Sequence, residues 1–181
     1  MHRQLILWSK QLNDYKIPRW EELPDFDLYS DQVIQLIKGY LNLFDQKEES
    51  IITGAMINNY VKHKMMPKPE KKKYQKVHIA YLIAISLLKQ VLTIQEINDG
   101  ITYQAEASGL KGAYNLFCDE MERALQNVAL QIQGRVKETN YIVPRENQAM
   151  YFASTAFTSK IVAEKIVEIN KLEREETDDV E

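Results

Sequence analysis

A single cysteine, Cys118, in a chain of 181 residues leaves no partner for an intramolecular disulfide and no thiolate set for a cysteine-based zinc site. It reads as a small buried hydrophobe. Histidines are as scarce: His2, His63 and His78 are scattered, and none joins an Asp/Glu cluster at metal-ligand spacing. Six glycines form no phosphate-cradling loop, and no serine sits in a nucleophile elbow. The acids in "RENQ" and "DEMER" belong to charged helix faces rather than to paired carboxylates with shifted acidity. These absences predict a protein that is not an enzyme and that uses no metal or cofactor. No apolar run approaches the ~18 residues of a membrane span. The opening "MHRQLILWSKQLNDY" is too short in its apolar part, and too charged at its flanks, for a signal peptide. The expected compartment is the cytoplasm, with no membrane partner.

What is present is an ordinary globular balance, 45% hydrophobic and 27% charged residues, with little glycine or proline to interrupt helices. The charge is distributed very unevenly. Between Lys62 and Lys76 stand seven lysines (62, 64, 68, 71, 72, 73 and 76) against one acid, Glu70, a local charge of +6. The net charge is −3, so the rest of the chain carries −9. Part of that lies in the tail "LEREETDDVE", which reads as a solvated end.

"IPRWEELPDFDLYS", Ile17 to Ser30, has two prolines and no period, and reads as an ordered arm whose Trp20, Leu23, Phe26 and Leu28 tuck against a core. Val33, Ile37, Tyr40 and Phe44 then recur at the spacing of one helix face, with Ser30 as the expected N-cap, until "DQKEES" breaks the pattern. Thr53 is expected to cap a short helix running to about Lys64. Ile57, Tyr60 and Val61 would face inward; Gly54, Ala55, Asn58, Asn59 and Lys62 would face out. Pro67 and Pro69 forbid a helix, so Met65 to Gln75 is expected to be an extended excursion or a hairpin. Val77 to about Leu92 is apolar nearly all round and reads as the central core helix. "TIQE" at Thr93 is a capping box for a short fourth helix, with a change of character after "NDG" at Gly100.

From Leu110, the residues Tyr114, Phe117, Met121, Ala124 and Val128 continue a heptad stripe that Gly134 is expected to close with a left-handed cap. The stripe suits either a homodimer through the carboxy-terminal helices or packing on the final helix, about Asn147 to Arg174, within one chain. The aromatics Tyr103, Tyr114, Tyr141, Tyr151 and Phe157 are candidates for an effector pocket, although such spacing favours core. No effector is identified.

The order short helix, proline-broken basic excursion, long apolar helix, capped helix resembles the DNA-binding half of MerR-type transcriptional regulators. The family pattern "V-S-P-x-T-L-R-Y-Y-E-x-x-G-L-L" is similar to "ITGAMINNYVKHKMM", Ile52 to Met66. Thr53 stands at the capping Ser, Ile57 at the buried Leu, and Met65 and Met66 at the Leu pair. "R-L-Y-S-x-x-D-L-x-x-L" is similar to "KKYQKVHIAYL", Lys72 to Leu82, and "F-S-L-x-E-I" to "LTIQEI". Asn58 and Asn59 replace the pattern's Arg and first Tyr, and Lys64 replaces its Gly. The phrases "DLYSDQV", "INNYVK" and "KPEKKKY" also resemble a family of uncharacterised bacterial proteins that carry a domain of unknown function.

The resemblance implies an all-α fold with a small β-hairpin wing: an amino-terminal arm over 1–27, a MerR-like winged helix-turn-helix over 28–99, and a helical region with an acidic tail over 100–181. It implies a regulator of transcription whose partner is double-stranded DNA. Thr53, Gly54, Asn58, Asn59 and Lys62 would enter the major groove, and Lys71, Lys72, Lys73 and Lys76 would lie on phosphates. Asn can pair with adenine where Arg selects guanine. A second reading keeps the scaffold as a protein-interaction module that meets an acidic partner without reading sequence.

Overall fold

A computed structural model describes residues 2–44, 50–135 and 142–178 of the chain. Among them the fold is all-α. Six helices follow in order: α1 His2–Asp14, α2 Ser30–Tyr40, α3 Gly54–Lys62, α4 Lys76–Leu88, α5 Ile94–Ile132 and α6 Gln148–Asp178, with short 3₁₀ turns at Trp20–Glu22 and Arg145–Asn147. Extended pairing among the described residues is limited to two isolated antiparallel bridges, Leu28 with Tyr74 and Glu70 with Lys73. No described helix is long and apolar enough to cross a membrane. The backbone divides into two compact units, Ile17–Asp119 and Met1–Lys16 with Glu120–Glu181.

In the unit Ile17–Asp119, α4 is the hub. Its sequence has no polar face, and ten of its thirteen residues are buried, from His78 to Leu88. An all-apolar helix has nothing to offer water, so its neighbours must cover it on every side. α2 contributes Val33 and Ile37, α3 contributes Ile57 and Tyr60, and α2 lies against both α3 and α4. The arm is held at its start by α5: the Tyr114 hydroxyl donates to the Pro18 carbonyl (2.8 Å), Asn115 accepts from the Trp20 N–H (3.0 Å), and Arg19 pairs with Asp119 (2.9 Å). Burial pushes the Tyr114 phenol far above its ordinary pKa, so it stays a donor. Leu23 and Leu28 are buried as expected, and so is Ile17; Trp20 is half-buried, and Phe26 is not tucked in at all, being 65% exposed.

Several boundaries differ from expectation, each for a local reason. Ser30 is the first helical residue rather than the cap of α2. The extended cap is Tyr29, whose N–H is satisfied by the Gln32 side chain (2.8 Å). α2 ends at Tyr40, and Leu41 and Phe44 are buried from the turns that follow; 45–49, where the pattern was expected to break, lie outside the described residues. α4 stops at Leu88, short of Leu92: Gln90 and Val91 N–H turn to the Leu87 and Leu88 carbonyls (3.3 and 3.0 Å), tightening the chain before Thr93 caps α5. The Thr93 hydroxyl accepts from the Glu96 N–H (3.3 Å), and the Glu96 carboxylate accepts from the Thr93 N–H (2.7 Å), which holds that carboxyl below its usual pKa.

The helix that this box opens is not short. It passes straight through Asn98–Gly100, where Gln95 donates to Asp99 (2.8 Å) and the Thr102 hydroxyl to the Asn98 carbonyl (2.9 Å). The break comes instead at Gly109, with φ +72° and ψ 164°. Gly134 (φ +68°) ends α5 as expected: Arg135 N–H reaches the Leu130 carbonyl (2.8 Å), and Gly134 N–H the Gln131 carbonyl (3.0 Å), the paired bonds of a Schellman cap.

The second unit consists of α1, the end of α5 from Glu120, and α6. Its core includes Leu12, Met121, Leu125, Ala129, Phe157 and Ile169. The buried Glu122 carboxylate is neutralised by Lys16 (2.8 Å), and Gln133 donates to the Ser9 hydroxyl (3.1 Å). Of the heptad stripe, Tyr114, Phe117, Met121 and Ala124 are buried, Val128 is half-buried and Leu110 is exposed. Cys118 is buried, as expected of a small hydrophobe. Among the aromatics singled out as a group, Tyr114 and Phe157 are core, Tyr151 is half-buried, Tyr103 is exposed, and Tyr141 lies outside the described residues.

Two glycine substitutions test where α5 bends. A Cβ on either residue meets no atom within 4 Å, so only backbone preference separates them. Gly100→Ala is expected to raise stability by about 0.5–1 kcal/mol as a helix-interior replacement. Gly109→Ala is expected to lower it by about 1–2 kcal/mol by forcing a left-handed alanine. Urea unfolding of both variants checks the opposite signs; equal effects contradict a break at Gly109.

Candidate nucleic-acid interface

α3 is nine residues long and depends on its ends. Thr53 caps it through a hydrogen bond from the Met56 N–H (3.2 Å). At the other end Met65 N–H reaches the Tyr60 carbonyl (3.0 Å) and Lys64 N–H the Val61 carbonyl (3.1 Å), a second Schellman cap in which Lys64 takes the left-handed conformation, φ 57°. Tyr60 and Met65, the apolar pair that accompanies such a cap, are both buried. Between these ends Ile57 and Tyr60 face the core, Val61 is half-buried, and Ala55, Asn58, Asn59 and Lys62 are exposed. Gly54 is half-buried beside Ile34. A short helix closed at both ends thus presents two free amides and one lysine to solvent.

The chain then anchors itself with Met65 and Met66, both buried, and passes Pro67 and Pro69 to a tight turn. Lys73 N–H donates to the Glu70 carbonyl (2.8 Å), and the two central residues, Lys71 and Lys72, have φ 48° and 62°. Positive φ at both centres is the pattern of a primed hairpin turn, which glycine and asparagine ordinarily fill. Together with Lys64, these lysines are all the non-glycine residues with positive φ among the described residues. Each such position costs on the order of 1 kcal/mol for a side chain with a Cβ. The root of the turn is clamped where Leu28 and Tyr74 exchange both backbone hydrogen bonds (2.9 and 2.8 Å).

That clamp brings the arm's acids to part of the basic run. Asp27 pairs with Lys73 (3.3 Å) and accepts from the Gln75 side chain (3.3 Å), and Asp25 pairs with Lys76 (3.8 Å). Lys73 and Lys76 are therefore half-buried and engaged within the chain. Lys62, Lys64, Lys68, Lys71 and Lys72 are exposed, with no acidic partner among the described residues. Of the nine residues expected at the interface, Asn58, Asn59, Lys62, Lys71 and Lys72 are free to touch a ligand, Thr53 and Gly54 build the helix start, and Lys73 and Lys76 are braced. Lys64 and Lys68 belong with the free cations although motif matching did not select them. The acids of "PDFD" were the available signal that two lysines are spoken for.

His78 sits at the foot of the turn, 4% exposed, edge-on to Tyr74 with ring centroids 5.7 Å apart. Its Nδ1 accepts from the Gln75 N–H (2.9 Å), so the proton resides on Nε2, which is buried near the Pro67 carbonyl without hydrogen-bonding geometry. Burial holds the imidazole below its ordinary pKa of 6.5. No group of three or more His, Cys, Asp or Glu among the described residues is arranged to hold a metal ion.

The His78 shift fixes the sign of a pH effect. An unfolded histidine takes its proton near pH 6.5, while the folded imidazole resists until lower pH. The stability that neutral His78 contributes is therefore complete above that value and lost as the pH falls below it. Wild-type stability is expected to decline from pH 7 to 5, and His78→Gln to flatten the decline, as measured by urea unfolding at each pH. An unchanged slope in the variant contradicts the assignment.

Comparison with known proteins agrees with the boundaries of the first unit. No curated protein and no solved structure matches the chain. The model of a family described as a domain of unknown function, DUF1836, matches residues 18–117, which fall inside the compact unit Ile17–Asp119. The match covers more than half of the chain, so the protein belongs to the DUF1836 family.

Proposed function

We propose that this protein binds double-stranded DNA, with the exposed face of α3 in the major groove and the lysine turn on the flanking phosphates. One observation carries the reading. Five lysines with no acidic partner among the described residues, Lys62, Lys64, Lys68, Lys71 and Lys72, continue directly from a doubly capped helix whose outer face offers Asn58 and Asn59. Lysine on phosphate releases a counterion and gives affinity without sequence information, while amide side chains can read adenine edges. This division of labour is that of a winged helix-turn-helix, with Glu70–Lys73 as a minimal wing and α3 as the reading helix. The MerR-type pattern supports the reading at an unexpected position. Lys64 replaces the pattern's glycine and takes the left-handed conformation that glycine favours. Transcriptional regulation follows as the role of such a reader.

Fluorescence anisotropy with a labelled duplex from the protein's own upstream region, at several salt concentrations, tests this. Lys71→Ala with Lys72→Ala is expected to weaken binding and to reduce the slope of log K against log salt by about 2. Asn58→Ala with Asn59→Ala is expected to lose preference over random duplex with the slope unchanged. No binding by the wild type at low salt overturns the proposal. A stoichiometric acidic protein partner that is insensitive to DNA would move the same surface to the interaction-module reading.

A further inference from the structure

Beside the DNA-facing surface lies a groove of about 600 Å³, formed where the end of α3 and the following loop meet α4 and the first turns of α5. Its volume falls in the range of small-molecule sites. Val61, Pro67 and Ile101 supply its apolar lining, with Met65 and Met66 almost fully buried behind them. Lys62, Lys64 and Lys68 stand around the rim, and no aspartate or glutamate lines the groove. Two further donors are free. The Tyr81 hydroxyl and the Asn98 side-chain amide line the same space, and neither has a hydrogen-bond partner among the described residues. Burial raises the Tyr81 pKa, which keeps its proton in place for donation.

Three ammonium groups and two neutral donors, with no acidic residue, match a ligand that brings several acceptor oxygens and more than one negative charge. The apolar part of the lining, Val61, Pro67 and Ile101, matches a ligand with a hydrophobic or aromatic body. Lysine ammonium groups suit phosphate as point charges on flexible stems. The Schellman cap sets Lys64 at the rim through backbone geometry, so its position does not depend on the ligand. We infer that this groove binds a phosphorylated small molecule with an apolar or aromatic body, its phosphates on Lys62, Lys64 and Lys68 and its body against Val61, Pro67 and Ile101. The site goes beyond the DNA reading and is tested without DNA.

The probe is adenosine triphosphate in magnesium-free buffer, followed by isothermal titration calorimetry and thermal unfolding of the full chain. Adenosine and inorganic tripolyphosphate serve as the body and charge controls. ATP is expected to saturate at one per chain and to raise Tm, tripolyphosphate to bind more weakly, and adenosine not to bind. Lys64→Gly and Lys68→Ala are each expected to weaken ATP binding about tenfold, the loss of one charge-assisted hydrogen bond. Lys64→Gly also relieves a left-handed lysine, so this variant is expected to unfold at a higher temperature than wild type while binding less. Lost binding is then not lost folding. Lys71→Ala with Lys72→Ala removes more charge from outside the groove and is expected to leave affinity within about twofold, since exposed charges act weakly at a distance in salt. An equal loss in that double variant, tripolyphosphate binding as tightly as ATP, or no saturable binding at millimolar ATP each overturns the inference.

Discussion

Two backbone hydrogen bonds between Leu28 and Tyr74 determine more of this molecule than their number suggests. Each contributes about 1 kcal/mol net, and both residues are buried, so an unmade bond there would cost more than a made one stabilises. The pair fastens the end of a proline-containing arm to the start of α4. It thereby brings Asp25 and Asp27 to Lys76 and Lys73, sets Gln75 where its N–H can meet His78, and closes the root of the lysine turn. The other end of the arm is stitched to α5 through Pro18, Trp20 and Arg19. An irregular segment is thus tied to its neighbours at both ends, and the lysine turn is anchored through the same contacts.

The distribution of strain follows the distribution of charge. Lys64, Lys71 and Lys72 occupy backbone conformations in which glycine would be favoured, and all three side chains are exposed and unpaired among the described residues. Folding alone gives no reason for lysine there, whereas the proposed polyanionic ligand would. Lys62 belongs both to the outer face of α3 and to the rim of the groove. A DNA phosphate and a small phosphorylated ligand would therefore compete for one ammonium group, which is a physical route for the second to influence the first.

Periodicity and capping chemistry made most of the helical framework legible. Thr53 and Thr93 carry their caps in the sequence, α4 announces its burial by lacking a polar face, and Gly134 closes α5 as a glycine after a periodic run should. Gly100 and Gly109 were not distinguishable in the same way. Both are glycines within a helical pattern, and local side-chain bonds carry the helix through the first, while the second takes positive φ. Phe26 looked like an arm residue destined for the core, but composition does not encode the direction in which an aperiodic segment points. The basic run was plain as a sum of charges. Its division into braced and free lysines was hidden, because it depends on a contact between Asp27 and Lys73 that only the Leu28–Tyr74 pairing creates.

The central claim is that the outer face of α3 and the lysine turn meet DNA together. Amide NMR of the full chain, titrated with a duplex selected from genomic fragments, tests it most directly. The account predicts shifts concentrated in 53–62 and 68–73, with Asn58, Asn59, Lys71 and Lys72 among the largest. A duplex that binds while perturbing only residues outside those two stretches would contradict it.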